Sequence, residues 1–141
     1  MPGAASAVPG GLRLLAVEDQ PANVALLRAV LARAPDAPVR EARLSVAGSL
    51  AEARALIGRE AFDIVLLDVR LPDGDGLALA RDLARAPKRP RVVVLTANAL
   101  PADEVAARAA GADAFIAKPY QPRALLATLR DLAPRDASAA S

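Results

Sequence analysis

The sequence contains no cysteine and no histidine. Without cysteine there can be neither a disulfide nor a thiolate zinc site, and without histidine there is no imidazole metal ligand, no Ser-His catalysis and no phosphohistidine. Tryptophan is also absent and aromatic residues make up only 2% of the chain, so a core must consist mainly of Leu, Val, Ile and Ala. Any chemistry therefore depends on carboxylates, hydroxyls, Lys, Arg and the backbone.

A strong excess of one charge and long apolar runs are lacking as well. The 18 Lys plus Arg residues nearly balance the 16 Asp plus Glu residues, and the arginines are spread among the acids rather than gathered into a nucleic-acid-binding patch. Charges or prolines interrupt every apolar run before the roughly 18 residues that a membrane helix needs. The N-terminal residues also lack the basic start and apolar block of a secretory leader. We therefore expect a cytoplasmic protein that binds neither nucleic acid directly nor membranes.

The length and composition indicate one domain. The 141 residues, of which 54% are hydrophobic, are enough for a single core of ordinary size. Residues 1–11 and 133–141 are rich in Ala, Ser, Gly and Pro without helical or strand periodicity, which predicts two flexible tails. The predicted domain is 12–132, and the residues after it are too few to form an output domain.

The apolar pattern predicts alternating strands and helices. Nearly continuous apolar runs at 12–19, 63–69, 91–97 and 114–118 are typical of strands covered on both faces, and a weaker strand is predicted at Arg43–Ala47. Helical spacing occupies the segments between them, namely 22–34, a helix from Ser49 with Glu52 as its capping-box partner, 77–86, 102–110 with Gly111 as its cap, and 123–132. This order predicts an α/β fold with a parallel sheet and helices on both sides.

Chemically active side chains stand at the predicted strand ends. In an open parallel sheet, ligands bind beyond the carboxyl ends of the strands. Those ends carry Glu18 and Asp19, then Asp68, Thr96 and Lys118. Carboxylates without Cys or His form a hard oxygen site that suits Mg²⁺. With a lysine and a hydroxyl added, the set has the parts needed for phosphoryl transfer, and Asp68 would be the nucleophile.

Each of these residues also has a structural interpretation. Asp68 precedes a Pro-Asp-Gly turn, and Glu18 and Asp19 could cap the helix that follows them. Thr96 could serve only its strand propensity, and Lys118 could be a solvated strand terminus. The joint occurrence of an acid pair, an acid, a hydroxyl and an ammonium at four strand ends favours a functional site.

Four motifs resemble the signature blocks of response-regulator receiver domains of two-component signalling. They are VEDQPAN, LLDVRLPDGDG, LTANAL and FIAKPY, and the resemblance extends over residues 12–132. The first and third motifs are most similar to receivers of hybrid histidine kinases or their single-domain relatives. The resemblance implies a flavodoxin-like (βα)5 fold, a doubly wound parallel sheet with strand order 2-1-3-4-5.

The resemblance also implies a metal site and a phosphoacceptor. Asp68 would accept a phosphoryl group from a phosphohistidine. Asp19 would bind Mg²⁺ directly and Glu18 through water, with Asp68 and the backbone carbonyl of Arg70 as further ligands. Lys118 would pair with the phosphoryl oxygens.

A switch is implied by the same resemblance. Thr96 would move to hydrogen-bond a phosphoryl oxygen, and Phe115 falls at the position of the family's switch aromatic, with core packing as its plain alternative. The Lys118–Pro119 peptide bond matches one that is commonly cis in receivers.

The sequence departs from common receivers at a few positions. Gln20 stands where many relatives have Asn or Asp. The resemblance also implies that Arg70 and Asn98 would flank the path of attacking water. Arg70 either shields an acyl phosphate or points to solvent, and the sequence leaves both interpretations open. The connection at 35–43 is long, which leaves the start of the second strand open.

The expected function is a receiver that catalyses its own phosphorylation and dephosphorylation without turning over a separate substrate. Its partners would be a sensor histidine kinase or a histidine phosphotransfer protein, and a downstream protein target. One alternative is a degenerate receiver that acts as a phosphorylation-independent binding module. Another is an aspartyl-nucleophile phosphatase of the haloacid dehalogenase type, which needs a second Asp two residues after the nucleophile, where this chain has Arg70.

Overall fold

A computed structural model describes residues 11–97 and 100–134, and the structural statements that follow concern those residues. They contain a five-stranded parallel sheet in the order β2-β1-β3-β4-β5, so the predicted fold class and strand order are confirmed. The strands are β1 (Arg13–Val17), β2 (Arg43–Ala47), β3 (Ile64–Asp68), β4 (Arg91–Thr96) and β5 (Ala114–Ala117). The predicted tails lie outside the described residues, apart from residues 11, 133 and 134.

Five helices flank the sheet. They are α1 (Pro21–Ala32), α2 (Leu50–Arg59), α3 (Gly76–Ala84), α4 (Pro101–Ala109) and α5 (Pro122–Leu132). Three of them begin at a proline, one residue earlier than predicted, because proline is favourable at the first helical position, where its missing N–H has no helical partner. The long connection before β2 contains a single helical turn, Ala37–Arg40.

Helix ends follow the predicted chemistry with one difference. The Ser49 hydroxyl accepts a hydrogen bond from the Glu52 N–H at 3.1 Å, as predicted for the cap of α2. The Glu52 carboxylate accepts from the N–H of Gly48 at 2.6 Å, one residue before the donor of a standard capping box. Gly111 follows α4 with a φ of 98°, a conformation that residues with a Cβ rarely adopt.

Two apolar layers cover the two faces of the sheet. Alternate residues of each strand face opposite layers, so Leu15, Val65 and Val92 pack with α3 on one face, while Leu14 and Ile64 pack with α1 and α5 on the other. All four apolar residues of β3 are at most 1% exposed. Full burial of each such side chain stabilises the fold by about 1.5–3 kcal/mol, which holds this central strand firmly.

The register aligns the carboxyl ends of the strands. Val17 pairs with Leu67, Asp68 with Leu95, and Thr96 with Ala117. The residues that end or directly follow β1, β3, β4 and β5 therefore lie along one edge of the sheet, which we call the carboxyl edge. Among the residues described, no helix has the length and apolar character needed to cross a membrane.

Candidate functional site

Asp68 is the last residue of the buried central strand. Its side chain is 16% exposed, and its two oxygens have different partners. Oδ1 accepts a hydrogen bond from the Arg70 N–H at 3.2 Å, and Oδ2 lies 3.5 Å from the Lys118 ammonium. Burial raises the pKa of Asp68 above its usual value, against the opposing effects of Lys118 and of the Arg70 N–H. The carboxylate is thus held in a fixed orientation, partly withdrawn from water.

Lys118 directly follows β5 and contacts two acids. Its Nζ lies 2.8 Å from Oε1 of Glu18, closer than to Asp68. Burial alone would lower the pKa of Lys118, but the hydrogen bond to Glu18 and the negative charges of Asp68 and Glu18 outweigh it, so the pKa is raised. The ammonium therefore stays charged at neutral pH.

Three carboxylates converge at this edge. Ligand oxygens of Glu18, Asp19 and Asp68 all lie within 4.8 Å of one another, with Asp19 exposed to solvent. Among the residues that the structure describes, three carboxylates face the positive charge of Lys118, an arrangement that a further cation would stabilise. The donor set consists of oxygen only and is open to water, so it fits Mg²⁺.

The structure gives Glu18 contacts both with the start of α1 and with the site. The residue before α1 is Gln20, and no side chain makes a capping hydrogen bond there. Oε2 of Glu18 instead accepts from the Gln20 N–H at 3.1 Å, while its other oxygen contacts Lys118. Glu18 therefore connects the residue before α1 to the Lys118 ammonium of the site.

Thr96 and Phe115 lie on neighbouring strands near the cluster. In the described part of the chain, the buried polar side chains are Glu18 and Thr96, and both are at the carboxyl edge. Phe115 pairs with Val94 and packs, partly buried, against the core layer that contains Val94. Residues two apart in a strand share a face, so Thr96 and Phe115 lie on the same side of the sheet. The Lys118–Pro119 peptide bond is cis.

The remaining predicted residues divide between the described and undescribed parts of the chain. Arg70 is exposed, and its backbone N–H contacts Asp68. An outward side chain agrees with the solvent-directed interpretation, and no ion pair of Arg70 is found in the described residues. Asn98 lies outside the described residues.

Two residues near Asp68 were not singled out by the sequence reasoning. Gly76 begins α3 so close to the end of β3 that a Cβ there would overlap the carbonyl oxygen of Asp68. Asp73 accepts two hydrogen bonds from the first residues of α2. The PDGDG stretch predicted a turn, but sequence spacing could not reveal either close approach, because both depend on chain segments meeting in space.

An apolar cleft of about 260 Å³ borders the site beside α1. Glu18 and Lys118 line it at one end, and Leu26, which is 51% exposed, and Tyr120 line it elsewhere. Burial raises the pKa of the Tyr120 phenol, which therefore stays protonated and neutral at physiological pH. The cleft thus offers a mainly uncharged surface next to the charged cluster.

The chain is similar to known proteins over most of its length. The sequence model of the response regulator receiver domain matches residues 14–130. The transcriptional activator protein PfeR of Pseudomonas aeruginosa is 39% identical over 108 residues, which cover 77% of this chain and 33% of PfeR. The chain thus spans about a third of the length of that relative.

Two solved structures show the same fold. One is the receiver domain of a Pseudomonas aeruginosa sensor histidine kinase with a magnesium ion in the active site cleft (TM-score 0.74, 29% identity, covering 86% of this chain and 97% of that one). The other is a Burkholderia pseudomallei response regulator with a phosphorylated aspartic acid, a calcium ion and citrate (TM-score 0.72, 30% identity, covering 84% and 66%).

Proposed function

The chain belongs to the response regulator receiver domain family, and from this premise we propose that it is a phosphoryl-accepting switch in which Asp68 is the phosphoacceptor. The observation that carries the proposal is the position of Asp68, which ends the buried central strand beside Lys118 and within the three-carboxylate cluster. The phosphorylated aspartic acid of the Burkholderia pseudomallei relative adds support.

The chemistry starts from the ionised Asp68 carboxylate. An oxygen of Asp68 attacks the phosphorus of a phosphohistidine on a partner protein, so an O–P bond forms while the P–N bond breaks and the imidazole leaves. The positive charge of Lys118 and the Arg70 N–H favour the ionised carboxylate against the effect of burial. Lys118 then pairs with the phosphoryl oxygens, and the Thr96 hydroxyl donates to one of them.

The carboxylates provide the metal site of this proposal. Asp19 and Asp68 would hold Mg²⁺ directly, Glu18 would hold it through water, and the Arg70 carbonyl would complete the protein ligands. When bound, the ion neutralises negative charge on the carboxylates and the phosphoryl oxygens. Glu18 also holds the Lys118 ammonium 2.8 Å away, which keeps that charge at the edge of the site.

The signal would leave the site through β4 and β5. We propose that phosphorylation moves Thr96 toward the phosphoryl group and Phe115 inward behind it, which changes the surface formed by α4 and α5 for a downstream protein target. The chain would act in the cytoplasm, and its phosphodonor would be a sensor histidine kinase or a histidine phosphotransfer protein. The apolar cleft beside Lys118 offers such a donor a contact surface next to Asp68.

Labelling of Asp68 tests the phosphoacceptor directly. The chain is incubated with Mg²⁺ and a small acyl phosphate, and the phosphorylated fraction is measured by intact-mass spectrometry. We expect Asp68→Asn to lose labelling completely, because the amide is not a nucleophile.

Asp63→Asn is the matched control, since Asp63 stands just before the opposite end of β3 and accepts a hydrogen bond from the Arg13 N–H at 2.7 Å. It should keep normal labelling. Labelling that persists in Asp68→Asn would move the phosphoacceptor to another residue. Wild-type chain that takes up no phosphoryl group would favour the binding module without phosphorylation.

A further inference from the structure

Asp73 joins the loop after β3 to the start of a different helix. Its Oδ1 accepts a hydrogen bond from the Leu50 N–H at 2.8 Å, and its Oδ2 accepts from the Ala51 N–H at 3.0 Å. Both donors belong to the first turn of α2, where backbone N–H groups have no helical partner. The carboxylate thus spans two segments that are more than twenty residues apart in the sequence, with charge that suits the N-terminus of a helix.

The segment between Asp68 and α3 is a short ribbon with little freedom. Arg70 pairs with Asp75 and Leu71 with Gly74 in an antiparallel ladder, and the Gly76 N–H donates to the Val69 carbonyl at 2.7 Å. Asp73 lies at the tip of this ribbon. Because the ladder connects the tip to the base, a restraint on the tip also limits movement of the base.

Close packing at the tip adds to the hydrogen bonds. Gly74 has a φ of 151°, and a Cβ there would lie 3.0 Å from Cδ1 of Leu50, the first residue of α2. The loop tip therefore rests against the beginning of α2 through side chain and backbone together.

The base of the ribbon carries the atoms that the site needs. The Arg70 N–H donates to Oδ1 of Asp68. The carbonyl of the same residue is the backbone ligand expected for the metal. A displacement of the ribbon would therefore alter both the orientation of the phosphoacceptor and the metal site.

We propose that Asp73 is a positioning residue, which holds the Arg70 backbone and the Asp68 carboxylate in place by fixing the loop tip to α2. This inference rests on the proposed function for the identity of the ion and of the phosphoryl group. Asp73 itself touches neither, and acts through the ribbon.

Ser49 distinguishes positioning from simple helix capping. Its hydroxyl accepts from the Glu52 N–H in the same first turn of α2, but Ser49 belongs to α2's own segment and makes no contact with the ribbon through that bond. Loss of either side chain removes a cap from α2 and lowers stability by a comparable amount. Only loss of Asp73 releases the loop.

The experiment compares Asp73→Ala with Ser49→Ala in two measurements. Magnesium affinity is measured by titrating the ¹⁵N-labelled chain with Mg²⁺ alone and following backbone amide shifts. Hydrogen exchange of the Gly76 and Arg70 amides is measured without metal. For Asp73→Ala we expect the magnesium affinity to fall on the order of tenfold. This is the lower end of the loss seen when a residue that supports the ligands of a metal site is removed. We also expect faster exchange at both amides.

Ser49→Ala should keep the wild-type affinity and the wild-type exchange at Gly76. Asp73→Asn should recover part of the affinity, because its amide oxygen can accept one of the two hydrogen bonds, and it serves as the test variant if the alanine protein does not fold. Equal affinity and equal exchange in wild type and Asp73→Ala would overturn the positioning role alone. A wild-type chain that binds no Mg²⁺ would overturn the metal site of the proposed function. In that case the positioning role would still be tested by hydrogen exchange, and it would be overturned if the Gly76 amide exchanged equally fast in wild type and in Asp73→Ala.

Discussion

At the amino edge of the sheet, where β4 and β5 begin, the Asp113 carboxylate is surrounded by partners. It accepts from Arg89 at 3.0 and 3.1 Å and from the Val92 N–H at 2.8 Å, and Arg91 lies 3.4 Å away. At the carboxyl edge, three carboxylates share one ammonium, that of Lys118. Acidic and basic side chains therefore balance each other at the amino edge, whereas negative charge remains in excess at the carboxyl edge.

The two edges distinguish carboxylates that stabilise the fold from carboxylates that are available to a ligand. One kind of carboxylate already accepts hydrogen bonds from backbone N–H groups and arginines at both oxygens. It is stabilised within the fold, and it has no free acceptor position for a ligand. A group of carboxylates held together with too few cations is destabilising until a further cation arrives. Carboxylates alone therefore do not identify a site, and the proposed metal site rests on their excess at one edge.

The largest expected effect on stability comes from replacing a glycine near either edge of the sheet by alanine. Gly76→Ala places a methyl group against the Asp68 carbonyl, and Gly111→Ala places one 2.7 Å from Cβ of Ala84 at a φ of 98°. Each should lower the free energy of unfolding by about 1–3 kcal/mol, measured by urea unfolding followed by circular dichroism.

Only Gly76→Ala should also slow the phosphorylation of Asp68. Gly58→Ala, inside α2 with no atom within 4 Å of the added Cβ, is the control and should be neutral or stabilising by up to about 1 kcal/mol. If Gly111→Ala slowed labelling as much as Gly76→Ala does, the two edges would not be functionally separate.

Removal of the balanced carboxylate should affect stability alone. Asp113→Ala removes the acceptor of the Val92 N–H and the ion-pair partner of Arg89 and Arg91, so we expect a loss of about 1–3 kcal/mol in the free energy of unfolding. Magnesium affinity and the labelling rate of the folded fraction should stay at wild-type values. A large change in either would show that the amino edge contributes to the site.

Removal of one of the carboxylates in excess should leave the fold stable but weaken the binding of magnesium. In Asp19→Asn, weaker repulsion among the acids should raise the free energy of unfolding slightly, by less than about 1 kcal/mol, in the absence of metal. Magnesium affinity, measured by amide-shift titration, should fall on the order of tenfold or more, because a ligand of the cluster is lost. A destabilised Asp19→Asn chain would argue that the cluster is balanced without an ion.

The smallest expected effect is a pH dependence at Asp73. Hydrogen bonds from the Leu50 and Ala51 N–H groups lower the pKa of this exposed carboxyl below its ordinary value of 3.8. Stability from the ionised form is therefore complete above that value and is lost as the pH falls through the lower pKa of the folded chain. The difference in the free energy of unfolding between wild type and Asp73→Asn should then be constant near neutrality and become smaller in acid. Glu52, the acid in the first turn of α2, is present in both proteins, so its effect cancels. A difference that does not change with pH would contradict the assigned cause.

Much of the fold could be predicted from local pattern. The buried runs gave β3 and β4 almost to the residue, since a strand covered on both faces must be apolar throughout. Helix starts were predicted one residue late at prolines, and the turn at Ala37–Arg40 was not predicted, because four residues carry too little periodicity.

The site was only partly predictable. Asp19, Asp68 and Lys118 could be predicted together because residues at the carboxyl ends of neighbouring parallel strands meet at one edge. The contact of Lys118 with Glu18 rather than with Asp68 alone could not be predicted, since it depends on side-chain distances of 2.8 and 3.5 Å. The same holds for Gly76, which approaches the Asp68 backbone where the ribbon folds back, and for Asp73, whose partners are more than twenty residues away in the sequence.

Three features follow from the sequence alone, namely the alternation of strands and helices, the absence of imidazole and thiol chemistry, and the residue types at the strand ends. These follow from side-chain chemistry and from periodicity along the chain, which are local properties. The folded chain adds two features that the sequence does not show. It neutralises some carboxylates and leaves others in excess, and it brings the tip of the β3–α3 loop against α2. The physical reason is that hydrogen bonds and Coulomb interactions act over a few ångströms in space, irrespective of separation along the chain.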